Sequence, residues 1–254
     1  MKIRMLGTGY GECKIKKKSS KDFRHRGGVV VDEEFLIDAP ADIFDAAFDM
    51  ASPEILTAVK AVLISHSHPG HFSQEAIYRL SERKKITVFA SETVLDMLSD
   101  SENIEKCPIM PFLPFEFLGY KVIPLPANHS TENPTEEVFN FVISASKTLF
   151  YALDGALLNY ESYKILSELK LDAVIADCAL EMSEIGPKSM QHGSLRTALL
   201  MRDILSGCGI FSPGARFVLS HIPTDRKREI HTPLCEAAAE VGIFVAYDGY
   251  FLSI

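Results

Sequence analysis

The segment Ala61-Val62-Leu63-Ile64-Ser65 runs without a break into His66-Ser67-His68-Pro69-Gly70-His71, so an apolar stretch ends on three imidazoles within six positions. A short run of β-branched and apolar residues reads as a strand buried inside a sheet. Alternate side chains of an extended chain share one face, which sets His66 and His68 side by side. Pro69 and Gly70 then turn the chain, and His71 approaches from another side at the start of the next helix. Imidazole suits zinc, iron and manganese near neutral pH, and a divalent ion needs several such donors converging. Three imidazoles closing an apolar strand therefore point to a metal site at a sheet edge and away from a solvated loop.

The same theme of strand, then donor, recurs. His129 follows Val122–Asn128, Asp154 follows Leu149–Leu153 with Gly155 next to it, and His221 follows Phe217–Ser220. Each alone reads as an ordinary polar residue; the recurrence raises each to a candidate ligand. Further strands are expected at Lys2–Leu6, Val29–Val31, Phe35–Ile37, Ile86–Ala90, Val122–Leu125, Phe139–Ile143, Thr148–Leu153, Asp172–Ala176 and Phe244–Tyr247. Helical patterns cover Ala41–Met50, Ser73–Ser81, Ser189–Leu205 and Pro233–Val241, with Ser73 a cap. Strand-rich halves with helices interspersed predict an α/β fold of two packed sheets with helices outside, in place of a single βαβ series. No repeat or Pro/Gly/Ser linker divides the chain, so residues 1–254 are expected to form one domain.

Composition narrows the function classes. No apolar run approaches the roughly 18 residues of a membrane span, so no membrane partner is expected. The start, MKIRMLGTGYG, lacks a long apolar stretch with a cleavage site, and none of the five cysteines (Cys13, Cys107, Cys178, Cys208, Cys235) forms a CxxC pair. Both features predict a cytoplasmic, reducing setting. A net charge of −8 argues against long nucleic acid as a partner. Lys14, Lys16, Lys17, Lys18, Lys21, Arg24 and Arg26 nevertheless crowd one segment, read first as a solvated basic loop and second as an anion-attracting rim. A small anionic substrate is compatible with both.

His66-Ser67-His68-Pro69-Gly70-His71, then His129, Asp154 and His221 in that order, resembles the metallo-β-lactamase superfamily of metal-dependent hydrolases. The likeness extends over Gly7-Thr8-Gly9, Leu36-Ile37-Asp38, Pro124–Ser130, Leu153-Asp154 and Val218–His221. His192-Gly193-Ser194-Leu195 and the ending Ala246-Tyr247-Asp248-Gly249 are similar, more narrowly, to the phosphodiesterase branch associated with bacterial phosphonate degradation, which acts on cyclic phosphates. The resemblance implies a four-layered αβ/βα metallo-β-lactamase sandwich with two metal positions at one edge. His66, His68 and His129 would hold the first ion, His71 and His221 the second, and Asp154 would bridge them. One or two divalent ions are implied, zinc first, with manganese or iron as alternatives. A hydroxide between them would attack a small phosphodiester. Asp154 and His192 would be the catalytic side chains, His192 stabilising charge or protonating the leaving oxygen, although it also fits as a cap before the following helix. Dimers are common in the superfamily, so a homodimer is compatible with the resemblance.

The sequence departs from the family at Gly70, where relatives carry an aspartate that ligates the second ion and orients the attacking water. Glycine does neither, so the second position is expected to be weakened. Glu75 is not read as compensation. That departure keeps open a degenerate member with weak or no hydrolysis, beside a hydrolase of a thioester or lactone. The branch's cysteine cluster after the first glycine turn is absent, with only Cys13 there, so no additional zinc is expected in that loop. Asp38 is expected to anchor backbone or a group near the site. Asp177 and Asp248 are read either as hydrogen-bond partners of ligand imidazoles or as solvated turn residues. Phe112, Phe115 and Phe117 are assigned to the core or an interface.

Overall fold

Alternation of side chains along the strands sets the layering. The computed structural model describes residues 1–15, 17 and 19–254, so Lys16 and Lys18 of the basic segment lie outside the described residues. Strands β1 (Lys2–Gly7), β2 (Gly28–Val31), β3 (Phe35–Ile37), β4 (Ala61–Leu63), β5 (Ile86–Ala90) and β6 (Ile104–Pro108) build a first sheet. Strands β7 (Phe115–Phe117), β8 (Tyr120–Pro126), β9 (Phe139–Ser144), β10 (Thr148–Ala152), β11 (Leu171–Asp177), β12 (Phe211–Ser220) and β13 (Phe244–Val245) build a second. The last strand, β14 (Phe251–Ser253), returns to pair with β1. The orders are β14-β1-β2-β3-β4-β5-β6 and β13-β12-β11-β10-β9-β8-β7.

Met5, Val29, Val31, Phe35, Ile37 and Leu63 of the first sheet meet Val122, Phe139, Phe141, Tyr151 and Ile175 of the second in one buried cluster. Their chain neighbours Leu6, Val30, Leu36, Val62 and Ile64 point the other way, into a cluster with residues of α1 (Ile43–Asp49), α2 (Gln74–Ser81) and α3 (Glu92–Asp96). Phe150, Ala152, Val174 and Leu219 do the same beneath α4 (Tyr160–Ser167), α5 (Leu195–Gly207) and α6 (His231–Ala239). The result is the four-layered αβ/βα sandwich. Strands covered on both faces need near-continuous apolar runs, which is what β2, β4 and β10 supply. Phe115 and Phe117 close the sheets against each other, with Phe115 stacked 4.5 Å from Phe89 and Phe117 5.9 Å from Phe35, centroid to centroid. Such aromatic pairs add about 0.5–1.5 kcal/mol beyond the area they bury.

Strands β3 to β6 pair in parallel, as do β10 to β13. Within each parallel set the carboxyl ends lie on one edge, and loops leave from there carrying the polar residues. Among the described residues, no helix is long and apolar enough to cross a membrane.

Three expectations are corrected. The helical period over Ser189–Leu205 is not one helix: a 3-10 turn spans Pro187–Met190, and α5 begins only at Leu195. Ser194 stops the run, because its hydroxyl accepts from Thr197 N while Thr197 Oγ1 accepts from Ser194 N, a reciprocal cap that fixes the start of α5. The final strand pairs over Phe244–Val245 only, not to Tyr247. Arg24, placed with a solvated basic loop, is fully buried. Its Nη1 donates to Thr8 Oγ1 (2.6 Å) and to the Ala246 carbonyl (2.8 Å), and Nη2 meets His231 Nδ1 at 2.9 Å. A buried guanidinium needs partners for its N–H groups, and Nη1 and Nη2 have them, while Nε has none among the described residues. Lys14, Lys17 and Lys21 are exposed as expected.

Candidate metal centre

Three strand ends turn through the left-handed region on a non-glycine residue: Asp38 after β3 (φ 61°), Asp154 after β10 (φ 51°) and His221 after β12 (φ 60°). Such backbone costs on the order of 1–3 kcal/mol at each residue and persists where surrounding contacts enforce it. Gly155 (φ 149°) follows Asp154, and a Cβ there would lie 3.2 Å from Asn128 N, so the chain passes tightly beside the loop that carries His129. Pro69-Gly70 brings His71 back, its N–H donating to the His68 carbonyl (2.8 Å).

The first donor set lies on the loop after β4 and the loop after β8. His66 Nε2 stands 3.0 Å from His68 Nδ1, and His129 Nε2 stands 3.2 Å from the same atom. Their other nitrogens face outward. His66 Nδ1 meets Ser65 Oγ (3.0 Å), His68 Nε2 approaches Glu132 (3.4 Å), and His129 Nδ1 lies 3.3 Å from the Gln191 carbonyl. Glu136 fixes the intervening backbone by accepting from Ser67 N and Ser67 Oγ, both at 2.6 Å, and from Thr131 Oγ1. Burial pushes the pKa of His66 well down and that of His129 down, neighbouring imidazoles adding to it, so both rings are neutral and offer a lone pair. A metal requires ligands in that state.

Asp154 is the hub of the second set. His71 Nε2 lies 2.7 Å from its Oδ2, while His221 Nε2 and His192 Nδ1 lie 3.2 and 3.3 Å from Oδ1. Burial disfavours the Asp154 anion, yet the charges of the His221 and His71 rings beside it outweigh this and hold its carboxyl well below the usual range. Behind His71 stands Asp38, whose Oδ2 takes His71 Nδ1 (2.7 Å) and the Tyr151 hydroxyl (2.9 Å) and whose Oδ1 accepts from Ser65 N (2.8 Å). Burial would lower the His71 pKa, but the Asp154 and Asp38 charges raise it to about 10. His221 is buried, its Nδ1 has no hydrogen-bond partner among the described residues, and its Nε2 approaches Asp154 without hydrogen-bond geometry. A buried imidazole left so costs several kcal/mol unless something else takes its lone pair, and a cation fits that need. The residues present thus suit divalent metal.

His66, His68 and His129, His66, His71 and Asp154, and Asp154, Asp177, His192 and His221 each offer donor atoms within 4.8 Å of one another. An open cavity of about 380 Å³ gives access, lined by Tyr10, Gly70, His129, Ser130, Gln191 and His192 among others. All the expected ligands therefore come together, and His192 lies among them.

A family model described as the beta-lactamase superfamily domain matches residues 33–222. The chain belongs to this superfamily. No curated protein matches it. Among solved structures, the metallo-beta-lactamase fold protein YhfI from Bacillus subtilis is similar at 16% identity and a TM-score of 0.74, covering 99% of this chain and 98% of YhfI. A diphosphatase from the PhnP family is 19% identical, with a TM-score of 0.72, over 100% of this chain and 97% of its own. The Zn(2+)-bound PqqB from Methylobacterium extorquens is likewise 19% identical at 0.72, over 100% of both chains. At such identities these neighbours establish a shared metallo-β-lactamase fold.

Other assignments of this superfamily member resolve one by one. Asp38 anchors both Ser65 N and the His71 ring, as expected. Asp177 does meet an imidazole, His192 Nδ1 at 3.2 Å, and its Oδ1 accepts from Ala179 N. Asp248 bonds no candidate ligand; its oxygens accept from Thr8 N, Thr8 Oγ1 and His25 N, tying β1 to the chain's end. Tyr10 escaped the sequence reading. Its ring stands edge to face with His192 (4.9 Å) and His221 (5.1 Å), and the signal for it was its place in the glycine turn after β1.

Proposed function

We propose that the protein is a metal-dependent hydrolase of a small anionic phosphodiester, cyclic ones included. One observation carries the reading: imidazoles from separate loops converge on Asp154 beside a cavity that admits a small molecule. His66, His68 and His129 would hold one ion, His71 and His221 a second, with Asp154 between. When bound, paired divalent ions lower the pKa of a water and clamp the substrate's oxygens. Zinc is the first choice for imidazole donors, and the neighbouring PqqB structure is Zn(2+)-bound.

The chain's own residues do the rest. Asp38 holds the His71 ring in place, the Ser65 hydroxyl meets the His66 ring, and Glu136 holds the backbone at Ser67 between His66 and His68. His192 turns Nδ1 to the Asp177 and Asp154 carboxylates, whose hydrogen bond and charges raise its pKa against burial and favour the doubly protonated ring. Its Nε2–H would then donate to the departing oxygen and stabilise its charge. Tyr10 walls the cavity with an aromatic ring and excludes water from that side. Support for phosphorus as the reacting atom comes from the His192 segment and from the structural likeness to a diphosphatase.

Protein charged with zinc or manganese is expected to turn over bis(p-nitrophenyl) phosphate, and His68→Ala to lose at least about 100-fold of that rate with its circular dichroism unchanged. Bound metal without turnover of any phosphodiester over zinc, manganese and iron(II) overturns the reading in favour of a protein that holds metal without hydrolysis.

A further inference from the structure

We propose that a second ion in this chain is held by Asp154, Asp177, His192 and His221, so that Asp177 and His192 make up for the side chain missing at Gly70. The inference rests on the metal-hydrolase reading above and deepens it, putting Asp177 and His192 in place of His71 in the second ligand set given there.

A Cβ built on Gly70 meets nothing within 4 Å, so no neighbouring residue packs against the position where a side chain would begin. On the opposite side of Asp154 the donors are dense. His192 Nδ1 lies 3.3 Å from Asp154 Oδ1 and 3.2 Å from Asp177 Oδ2, and His221 Nε2 lies 3.2 Å from Asp154 Oδ1. Bonds of about 2.0–2.1 Å in a tetrahedral shell put neighbouring donors about 3.4 Å apart, so these three separations are those of donors sharing one ion, and all four ligand atoms lie within 4.8 Å of one another. His71 is different. Its Nδ1 is hydrogen-bonded to Asp38 Oδ2 (2.7 Å), and its Nε2 stands 2.7 Å from Asp154 Oδ2, closer than the roughly 3.4 Å between donors on one tetrahedral ion, which fits a ring that orients Asp154.

A further observation points to a ligand. His221, 2% exposed, has neither ring nitrogen hydrogen-bonded among the described residues, and its Nε2 stands 3.2 Å from Asp154 Oδ1 within this set. Gly193 lets the next loop close down: a Cβ there would lie 2.1 Å from the Asp177 carbonyl oxygen. The chain is thus pressed against the end of β11 at the one place that sets His192 beside Asp177.

The set also predicts selectivity. Three imidazoles favour zinc in the first position, while two carboxylates and two imidazoles make the second harder and open to manganese or iron(II).

The test counts ions. Chelator-stripped protein is loaded with zinc or cobalt(II), dialysed, and measured by elemental analysis and cobalt absorption, with folding checked by circular dichroism. Wild type is expected to hold two ions. His192→Ala and Asp177→Asn should each keep the first ion and bind the second about 10–100-fold more weakly. Adding Gly70→Asp to His192→Ala should restore it. Two ions held as tightly in both variants overturns the proposal, leaving Asp177–His192 as a hydrogen-bonded pair facing substrate. A single ion in wild type, unaffected by either substitution, also overturns it while the hydrolase reading stands. No ion in wild type overturns both.

Discussion

Two glycines near the metal centre invite the same substitution with opposite outcomes. At Gly193 an added Cβ would stand 2.1 Å from the Asp177 oxygen and 2.8 Å from its carbonyl carbon; at Gly70 it would meet nothing within 4 Å. Ordinary contact begins near 3.4 Å, so Gly193→Ala must open the gap by about 1.3 Å. Asp177 cannot yield easily, because it pairs with Ser220 in the middle of a parallel sheet and Cys178 N donates to the Ser220 carbonyl (2.9 Å). The His192–Ser194 link must move instead, and Ser194 is itself fixed as the cap of α5. Over-packing of this kind costs about 1–3 kcal/mol. In a chain of this length each kcal/mol lowers the melting temperature by about 2–4 °C, so Gly193→Ala should melt about 2–12 °C below wild type. Gly70→Ala should stay within about 0.5 kcal/mol. Thermal melts with a chelator present read the packing alone, and ion counting on loaded protein then reads His192. Gly193→Ala should lose the second ion; Gly70→Ala should not. Equal melting temperatures for the two variants would refute the claim that the close approach at Gly193 holds His192 in place.

Two further perturbations address the supporting shell. Asp38→Asn keeps the shape but replaces one acceptor oxygen by an amide, so the contacts to Ser65 N, His71 Nδ1 and the Tyr151 hydroxyl cannot all survive. It should cost about 1–3 kcal/mol of stability and about 10–100-fold in metal affinity, measured by competition with a chromophoric chelator; unchanged affinity would deny Asp38 its positioning role. Away from the centre, burial and then the Arg24 charge lower the His231 pKa from 6.5 to about 4. A folded pKa below the unfolded one means the unfolded chain takes the proton first, so stability is intact above about pH 6.5 and is lost as pH falls toward about 4. The full shift corresponds to about 3 kcal/mol, discounted to about 1–2 for a ring that water partly reaches. Urea unfolding from pH 7 to 4.5 should therefore fall less steeply for His231→Asn than for wild type, and parallel curves would contradict this.

Candidate ligands were legible where one stands at or just after the end of an apolar run, a pattern that chain order alone displays at Ile64–His66, Leu153-Asp154 and Leu219–His221. Layering was legible for the same reason, since strands buried on both faces read as short continuous apolar stretches. What escaped has no such period. Strand β6 (Ile104–Pro108) carries Glu105 and Lys106 on an edge, β7 is three residues long, and β14 exists only because β1 offers it a partner. Arg24 sits among lysines in the chain and among buried partners in space. Nothing local distinguishes it, because its burial is decided by Ala246 and His231, more than two hundred residues away. Over Ser189–Leu205 the apolar period was real, but the capping preference of Ser194 outweighed it.

The topology explains why a lost donor at position 70 can be made up from elsewhere. Strands β10, β11 and β12 are parallel neighbours, with Ala152 opposite Ala176 and Asp177 opposite Ser220. Each ends, at its carboxyl end or one or two residues beyond, on a donor: Asp154, Asp177 and His221. Adjacent strands lie about 4.8 Å apart, so donors placed in this way on neighbouring strands are brought within reach of one ion by the sheet itself. The chain turns left-handed at Asp154 and His221, whose donor atoms lie within 4.8 Å of an Asp177 oxygen, while the strand of Asp177 runs to that residue. Gly70 belongs to the other sheet's edge, on the loop after β4. Removing a carboxylate there leaves the second sheet's three donors untouched, and one more ligand, His192 on the loop before α5, completes them. In this sandwich an ion can shift toward one sheet at the cost of contacts to the other without a change in either strand order.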